Sequence, residues 1–306
     1  MRHVGELITV IREQTDNRNY GDAEGISQEE FVELLNDAQT NIFLRILAEV
    51  PDTSIFDASE DSSLIEGTRA YGTSARWGIK NAIRFVEYSP TGSEIDFYFL
   101  EPRSIKELTR YQSMYPSCYT VQNGFVLISP VPSSAQGTLR ITYVKRPDRL
   151  DLRRGKVDAT TGTYSTIVLE TSPSPDEKLT DSENLPYYVC TSDAFGTVTF
   201  QNALVTAYDA ATLTMTVTAT SASGTISEGD WVTFGSYTAT HSTLPEEFER
   251  YLIAYTTVEI LKRDSSKDAG DWNAKLRDIE QNLISLAQNS IREQKEIPIT
   301  NDFYTV

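Results

Sequence analysis

The stretch TLPEEFERYLIAYTTVEIL, from Thr243 to Leu261, decides how this chain folds. Thr243 is placed to cap a helix, with Glu246 three residues later to complete a capping box, and Pro245 stands where no amide donor is needed. Apolar residues then recur at spacings of three and four, which predicts an amphipathic helix. These residues are Phe248, Tyr251, Leu252, Tyr255 and Val258. We expect the rest of the chain to bury this apolar face.

A second helix is predicted after Asp268, beyond a break at residues 263–266. Its apolar residues are spaced four, three, four and three, as in helices that pack side by side. This first stripe consists of Trp272, Leu276, Ile279, Leu283 and Leu286. It predicts helix packing and a subunit interface. A second stripe of Ile284, Ala287 and Ile291 either widens the core face or contacts another element, of the same or of another subunit, and the pattern leaves both open.

The last ten residues, Ile297 to Val306, form a predicted extended arm, because Pro298 ends the helix. The arm carries apolar and aromatic residues that have little to bury them locally. They are Ile297, Ile299, Phe303 and Tyr304. We expect the arm to order itself in a groove or on a sheet edge of a neighbour. The alternative is that Phe303 and Tyr304 fold back onto the chain's own helices.

Charge limits the classes of partner. The chain of 306 residues has 27 Lys and Arg against 44 Asp and Glu, a net charge of −17. This argues against a basic surface that grips phosphates. A negative wall that lets DNA pass without binding and simple solubility both fit. No apolar run approaches the length of a membrane span and no leader pattern begins the chain, so no membrane association is expected.

The chain before Leu150 combines helices with a small antiparallel sheet. The predicted helices are Glu6 to Glu13, Ser27 to Val50 and Pro102 to Tyr111. The predicted strands are Ile79 to Tyr88, Glu94 to Leu100, Tyr119 to Gln122, Phe125 to Ser129 and Thr138 to Val144. Asn123-Gly124 between two of these strands predicts a tight hairpin turn. Asp52 to Thr73 is polar and is expected to be irregular.

Thr, Ser, Gly and Ala dominate from Lys156 to His241, and short strands recur there. The predicted strands are Tyr164 to Glu170, Tyr187 to Thr191, Thr197 to Phe200, Leu213 to Thr220 and Trp231 to Phe234. This pattern favours a small sandwich or barrel. We therefore predict an α+β protein. Its domains are a helical core with a small antiparallel sheet (residues 1–150 and 244–297), an inserted β-domain (151–243) and the extended arm (298–306).

Residues that carry chemistry are scarce. The two histidines, His3 and His241, do not stand beside a Ser or Cys that context marks as a nucleophile, and Cys118 and Cys190 have no metal-ligand spacing. Acidic residues 246, 247 and 249 are typical of a first helical turn. No phosphate-binding glycine motif is present. We expect no catalytic residue, cofactor or metal. One basic cluster exists, and it either contacts DNA or an acidic partner or is a solvated junction. It comprises Lys145, Arg146, Arg149, Arg153, Arg154 and Lys156.

Four features together resemble a head-to-tail adaptor, or connector, of tailed bacteriophages, of the short-tailed type. They are the Glu6-Leu7-Ile8 helix with the capped helix from Ser27 to Val50; the hairpin from Tyr119 to Ser129 that leads through Pro130-Val131-Pro132 to Gly137–Tyr143; the run from Leu244 to Leu252; and Asp264–Asp268 before the Trp272 helix. The β-insert is a departure from the smallest members.

The resemblance implies a structural virion protein at the head–tail junction, assembled in the host cytoplasm. Such proteins form a ring, commonly dodecameric, that extends the DNA channel beneath the portal. The implied partners are the portal protein, tail proteins (nozzle, tail tube or fibre), other copies of the chain, and viral DNA that passes without sequence-specific binding. With this resemblance the C-terminal arm is predicted to bind the portal.

Two other functions stay open on the sequence alone. In the first, the chain is a tail- or capsid-associated binding module whose β-domain recognises a host glycan, and the available aromatic residues are Tyr187, Trp231 and Tyr237. The second is a peptidoglycan hydrolase. No motif in the chain supports this second alternative.

Overall fold

The computed structural model describes residues 1–15, 26–72, 82–93, 95–107, 115–161, 165–173, 187–218, 223–263 and 269–295. These residues divide into two compact units. The first unit lies within Met1–Thr53 and Pro147–Val306, and the second within Ser54–Arg146.

Four α-helices lie in the described residues of the first unit. They are α1 (Val4–Gln14), α2 (Gln28–Glu49), α3 (Glu249–Arg263) and α4 (Ala269–Lys295), with a 3-10 turn at Glu246–Phe248 directly before α3. The side chain of Ser27 caps α2 by accepting a hydrogen bond from the backbone N–H of Glu30 at 3.2 Å, as the sequence predicts. Helix α3 packs against α1, α2 and α4, so it lies at the centre of the helical layer. None of the helices in the described ranges combines the length and apolar composition that a membrane crossing requires.

The start of α3 differs from the expected cap. The hydroxyl of Thr243 accepts a hydrogen bond from the backbone N–H of Asp148 at 3.1 Å. Pro245 occupies the N-cap position of the 3-10 turn, and no side chain caps that turn. The reason is tertiary, since a segment distant in sequence supplies the donor that Thr243 accepts.

The described residues of the second unit form eight strands in two four-stranded sheets. They are β1 (Asp57–Ser63), β2 (Ala70–Tyr71), β3 (Ile83–Ser89), β4 (Tyr98–Phe99), β5 (Glu101–Pro102), β6 (Cys118–Gln122), β7 (Phe125–Ser129) and β8 (Thr138–Val144). One sheet has the order β1-β8-β3-β4 and the other β2-β7-β6-β5. All pairs are antiparallel except β5 with β6. A buried cluster that includes Val86, Ile128 and Ile141 forms the core of this unit.

The predicted hairpin of β6 and β7 is confirmed, because Asn123 and Gly124 have φ values of 51° and 80°, as a two-residue turn requires. Two other expectations for this unit are wrong. Residues 57–63 form β1, an edge strand whose sequence, DASEDSS, has no apolar alternation, and cross-strand contacts with β8 hold it. The helix expected from Pro102 to Tyr111 is absent from its described part, residues 102–107, since Glu101–Pro102 pairs with β6 instead.

The first unit also contains a closed barrel of six strands, in the order β12-β16-β10-β11-β14-β13, which the β12–β13 pair closes. The strands of this region are β9 (Arg149–Leu150), β10 (Gly155–Thr160), β11 (Thr166–Leu169), β12 (Tyr187–Ser192), β13 (Val198–Asp209), β14 (Thr214–Thr218), β15 (Ser223–Gly224), β16 (Trp231–Phe234) and β17 (Thr238–Ala239). Val157, Ile167, Val189, Val205 and Val232 are fully buried in its interior. The barrel and the helices together give the expected α+β class.

The sequence pattern did not predict strand β10. It predicted that β13 ends at Phe200, whereas the strand continues to Asp209. Asn202 lies within β13 with a φ of 59°, and its side-chain oxygen accepts a hydrogen bond from the backbone N–H of Tyr237 at 2.9 Å. This kink breaks the alternation that a sequence pattern relies on. Barrel and helices lie in one compact unit. The division into residues 1–150 with 244–297, 151–243 and 298–306 stays a prediction.

Candidate interaction surfaces

The two histidines meet in the structure. His3 and His241 form an antiparallel β-bridge with ring centroids 6.1 Å apart, and the backbone N–H of Val4 donates to the carbonyl of Thr240 at 2.9 Å. Burial lowers the pKa of both imidazoles below the usual range, and the nearby Arg153 lowers it further. The pair therefore joins the start of α1 to the chain just after the barrel.

The described residues contain no group of three or more His, Cys, Asp or Glu arranged to hold a metal ion. Of the acidic residues at the start of α3, Glu249 forms an ion pair with Arg2 at 2.9 Å. Glu246 and Glu247 lie in the 3-10 turn. Glu249 thus holds the N-terminus of the chain against α3.

The basic cluster of the sequence is divided between the two units. Lys145 and Arg146 belong to the second unit, whereas the other four residues belong to the first. The guanidinium of Arg153 lies 4.7 Å from the ring centre of Trp231 and donates to the carbonyl of Ala194 at 3.3 Å. Lys156 pairs with Glu170 at 2.5 Å. Protein groups therefore already contact the charged groups of Arg153 and Lys156.

Arg154 is buried between the barrel and α2. Its guanidinium donates to Asp151 at 3.0 Å and to Glu29, on α2, at 2.9 Å. Asp151 also accepts a hydrogen bond from the backbone N–H of Phe234 at 2.7 Å. Burial lowers the pKa of Arg154, but the hydrogen bonds to Glu29 and Asp151 outweigh it and raise the pKa above its ordinary value. This network is structural. Nothing in the sequence alone indicates that Glu29, Asp151 and Arg154 contact one another.

The first stripe of α4 is only partly covered. Leu283 is buried, Trp272, Leu276 and Ile279 are half-buried, and Leu286 is 41% exposed. Ile284 and Ala287 of the second stripe are buried instead. An ion pair of 2.9 Å between Arg45 and Glu280 joins α4 to α2. The face that the sequence predicts for packing therefore lies partly on the surface of the first unit.

A surface cleft lies between α2 and α3. Its volume is about 520 Å³, and it is lined by Asp37, Thr40, Asn41, Leu44, Arg45 and Tyr255. Leu44 is 47% exposed. The side chain of Asn41 donates to the hydroxyl of Tyr255 at 3.3 Å, and Tyr255 stacks on Tyr251 at 5.9 Å. The cleft therefore has an apolar part and a polar rim. The sequence did not predict this cleft, because Leu44 does not belong to the buried apolar face of α2.

The second unit exposes aromatic side chains along β3 and β4. The rings of Phe85 and Phe99 meet edge to face at 5.3 Å, and both side chains are exposed. The ring of Tyr98 contacts that of the buried Tyr88 edge to face, also at 5.3 Å. Burial raises the pKa of Tyr98 to about 12. Exposed aromatic residues of this kind are typical of protein–protein contacts.

The three aromatic residues considered for glycan binding have other contacts. Trp231 is covered by Arg153, and Tyr187 packs edge to face on Phe234 at 5.9 Å. Tyr237 lies in a turn with a φ of 54°. These observations do not support a glycan site at the three residues.

The residues assigned to the C-terminal arm, Ile297, Ile299, Phe303 and Tyr304, lie outside the described residues. Their role as the portal-binding element stays a prediction.

A comparison with curated proteins found no match. The family model of the SU10 adaptor protein matches residues 3–177. The match begins just before α1, includes α2 and the whole second unit, and continues through β10 and β11 of the barrel. Because it spans more than half of the 306 residues, the chain belongs to the SU10 adaptor protein family, a family of phage head-to-tail adaptors.

Proposed function

We propose that this protein forms a ring beneath the phage portal, extends the DNA channel and provides the attachment site for tail proteins. The ring, which we expect to be dodecameric, is a structural part of the virion at the head–tail junction and assembles in the host cytoplasm. The family match supports an adaptor of this kind.

The observation that best supports assembly into a ring is that the first stripe of α4 is only partly covered. Helix α4 has 27 residues and α3 has 15, so α4 is longer by about 18 Å at the usual rise per residue. Leu286 stays exposed although it follows the same spacing as the buried Leu283. A neighbouring copy that packs a helix on this stripe removes its apolar side chains from water.

The partners follow from the position of such a ring. Its upper side contacts the portal, to which the arm residues Ile297, Ile299, Phe303 and Tyr304 are proposed to bind. Its lower side contacts the nozzle, tail tube or fibre proteins. The net charge of −17 per copy, repeated around the ring, disfavours adhesion of the DNA that passes through.

Mass measurement of the purified chain, alone and with portal protein, tests this function. We expect a closed ring on the portal. The variant Leu286→Asp should weaken ring assembly and leave the melting temperature of the single chain nearly unchanged, because the side chain is already exposed in that chain. Gln288→Asp, at an exposed polar position of the same helix, is the matched control. A chain that stays monomeric both alone and with portal would rule out the proposal.

A further inference from the structure

The net negative charge of the chain is confined to the first unit. Ser54–Arg146, the range of the second unit, contains ten Lys or Arg and nine Asp or Glu, so its net charge is +1. The remainder of the chain contains 17 Lys or Arg and 35 Asp or Glu, a net charge of −18. The first unit therefore accounts for the whole acidity of the chain.

Several charges of the second unit are paired with one another. The guanidinium of Arg84 lies 3.0 Å from the carboxylate of Asp57. That of Arg140 lies 2.8 Å from the carboxylate of Asp61. Opposite charges at these distances nearly cancel for a charge farther away than the Debye length of about 8–10 Å. The second unit therefore exerts little net force on a polyanion.

Exposed apolar side chains follow the opposite distribution. The second unit has 93 of the 306 residues, yet it holds ten of the 15 large apolar side chains that are exposed in the described part of the chain. These ten are Ile65, Phe85, Ile95, Tyr98, Phe99, Ile105, Tyr115, Val121, Phe125 and Val131. A surface that is apolar and nearly neutral suits contacts with proteins better than the passage of DNA.

Helix α2 of the first unit presents carboxylates to solvent. Glu29, Glu33 and Asp37 are exposed and recur every four residues, so they share one face of the helix. We call these three residues the acidic face of α2. Glu29 pairs with Arg154, whereas Glu33 and Asp37 have no ion-pair partner among the described residues. No Lys or Arg occurs between Glu29 and Leu44, so no cation of the helix reduces the field of this face.

A channel for DNA needs a wall that does not hold phosphates. A duplex carries one negative charge per about 1.7 Å of its axis, and basic groups bind it by releasing its counterions. A negative wall repels the duplex instead. Of the two units, only the first has the net negative charge that such a wall requires.

We infer that the first unit, with the acidic face of α2, forms the wall of the DNA channel in the ring. This inference rests on the proposed ring and states which part of each copy the DNA passes. The acidic face of α2 is distinct from the first stripe of α4, which is proposed to contact the neighbouring copy.

Charge reversal in the two units tests the inference. Glu33→Lys with Asp37→Lys reverses two charges on the acidic face of α2. Glu66→Lys with Asp96→Lys makes the same change of charge at two exposed residues of the second unit and is the matched control. Melting temperatures should stay close to that of the wild-type chain, because all four side chains are exposed.

Linear and covalently closed circular duplexes distinguish the channel from the outer surface of the ring. A linear duplex can enter a closed ring, whereas a circle cannot. In a gel-shift assay, we expect rings of the α2 variant to bind linear duplex at least about tenfold more tightly than wild-type rings, with affinity that falls steeply as salt is raised. They should bind circles no better than wild-type rings do. Rings of the control variant should behave like wild-type rings with both substrates.

The outcomes separate this inference from the proposed function. If the control rings bind linear duplex as tightly as the α2 variant rings, the second unit contributes to the wall and the inference is wrong. It is also wrong if the α2 variant rings bind circles as well as linear duplex, or bind neither, although the ring then stands. If the wild-type chain forms no ring, the proposed function fails first.

A neutral pair of variants covers the case in which the Lys variants do not assemble. Glu33→Gln with Asp37→Asn removes the two charges of α2 without adding cations, and Glu66→Gln with Asp96→Asn is its control. The α2 variant rings should bind linear duplex more tightly than the control rings do. Equal binding by the two would overturn the inference.

Discussion

Replacement of Arg154 by Met should destabilise the first unit strongly. The side chain of Arg154 is 3% exposed and that of Asp151 is 7% exposed, so the substitution leaves a buried carboxylate without its cation. Removal of one member of a buried ion pair typically costs about 3–5 kcal/mol of unfolding free energy. Asp151 keeps the hydrogen bond from the backbone N–H of Phe234, which places the expected loss near the lower end, about 3 kcal/mol.

Two further variants separate the burial of charge from the loss of packing. Arg154→Met with Asp151→Asn removes both charges, and the Asn oxygen can still accept from Phe234. This double variant should be more stable than Arg154→Met by more than about 1 kcal/mol, because no unpaired charge remains buried. Glu29→Ala should cost at most about 1 kcal/mol, since the Glu29 side chain is 49% exposed and screened by solvent.

Urea unfolding followed by circular dichroism and by tryptophan fluorescence measures these differences. Circular dichroism reports mainly on the helices, and Trp231 lies on a barrel strand. A loss below about 1 kcal/mol for Arg154→Met would refute the reasoning. So would a double variant that is as unstable as the single one.

Three further predictions follow from charge, burial and the C-terminal arm. In the folded state, burial lowers the pKa of His3 and His241, and Arg153 lowers it further, while Glu6 acts in the opposite direction. As the pH falls, the unfolded chain therefore binds more protons at these two residues than the folded chain does. The stability that the neutral histidines contribute should be fully present above about pH 7 and decrease as the pH falls through about 6.5. A melting temperature that increases when the pH is lowered from about 7.5 to about 5.5 would contradict this. Deletion of residues 299–306 should leave the melting temperature of the chain nearly unchanged and abolish stable attachment to portal. If the shortened chain binds portal with unaltered affinity in a pull-down, the arm is not the attachment element. The assembled ring should not bind duplex DNA in physiological salt, because each copy carries a net charge of −17, and tight binding in a gel-shift assay would count against an acidic channel.

Residues whose signals act over a few positions could be predicted from the sequence. Ser27 caps α2, Asn123-Gly124 makes the hairpin turn, and β8 spans Thr138–Val144 as expected. For the cap and the turn the deciding hydrogen bond or dihedral angle lies within the local segment, and for β8 the alternation of its side chains is a local signal. The resemblance to head-to-tail adaptors also came from such local patterns, and the family match confirms it.

The tertiary structure decided which surfaces are covered. Strand β1 has no apolar alternation and exists because it pairs with β8, which lies about 80 residues later in the chain. Arg154 reads as a surface charge in the sequence, but the fold brings Glu29 from α2 to it.

Spacing on α4 placed Leu283 and Leu286 on one stripe, yet only Leu283 is buried. Likewise, the α2–α3 cleft forms from residues that lie more than 200 positions apart in the chain. The sequence by itself determined α1 to α4 and most of the strands, because short-range spacing encodes them, and its motifs carried the resemblance to the adaptor family. Only the tertiary structure decided which apolar side chains remain exposed, because exposure depends on contacts between segments that are distant in the chain.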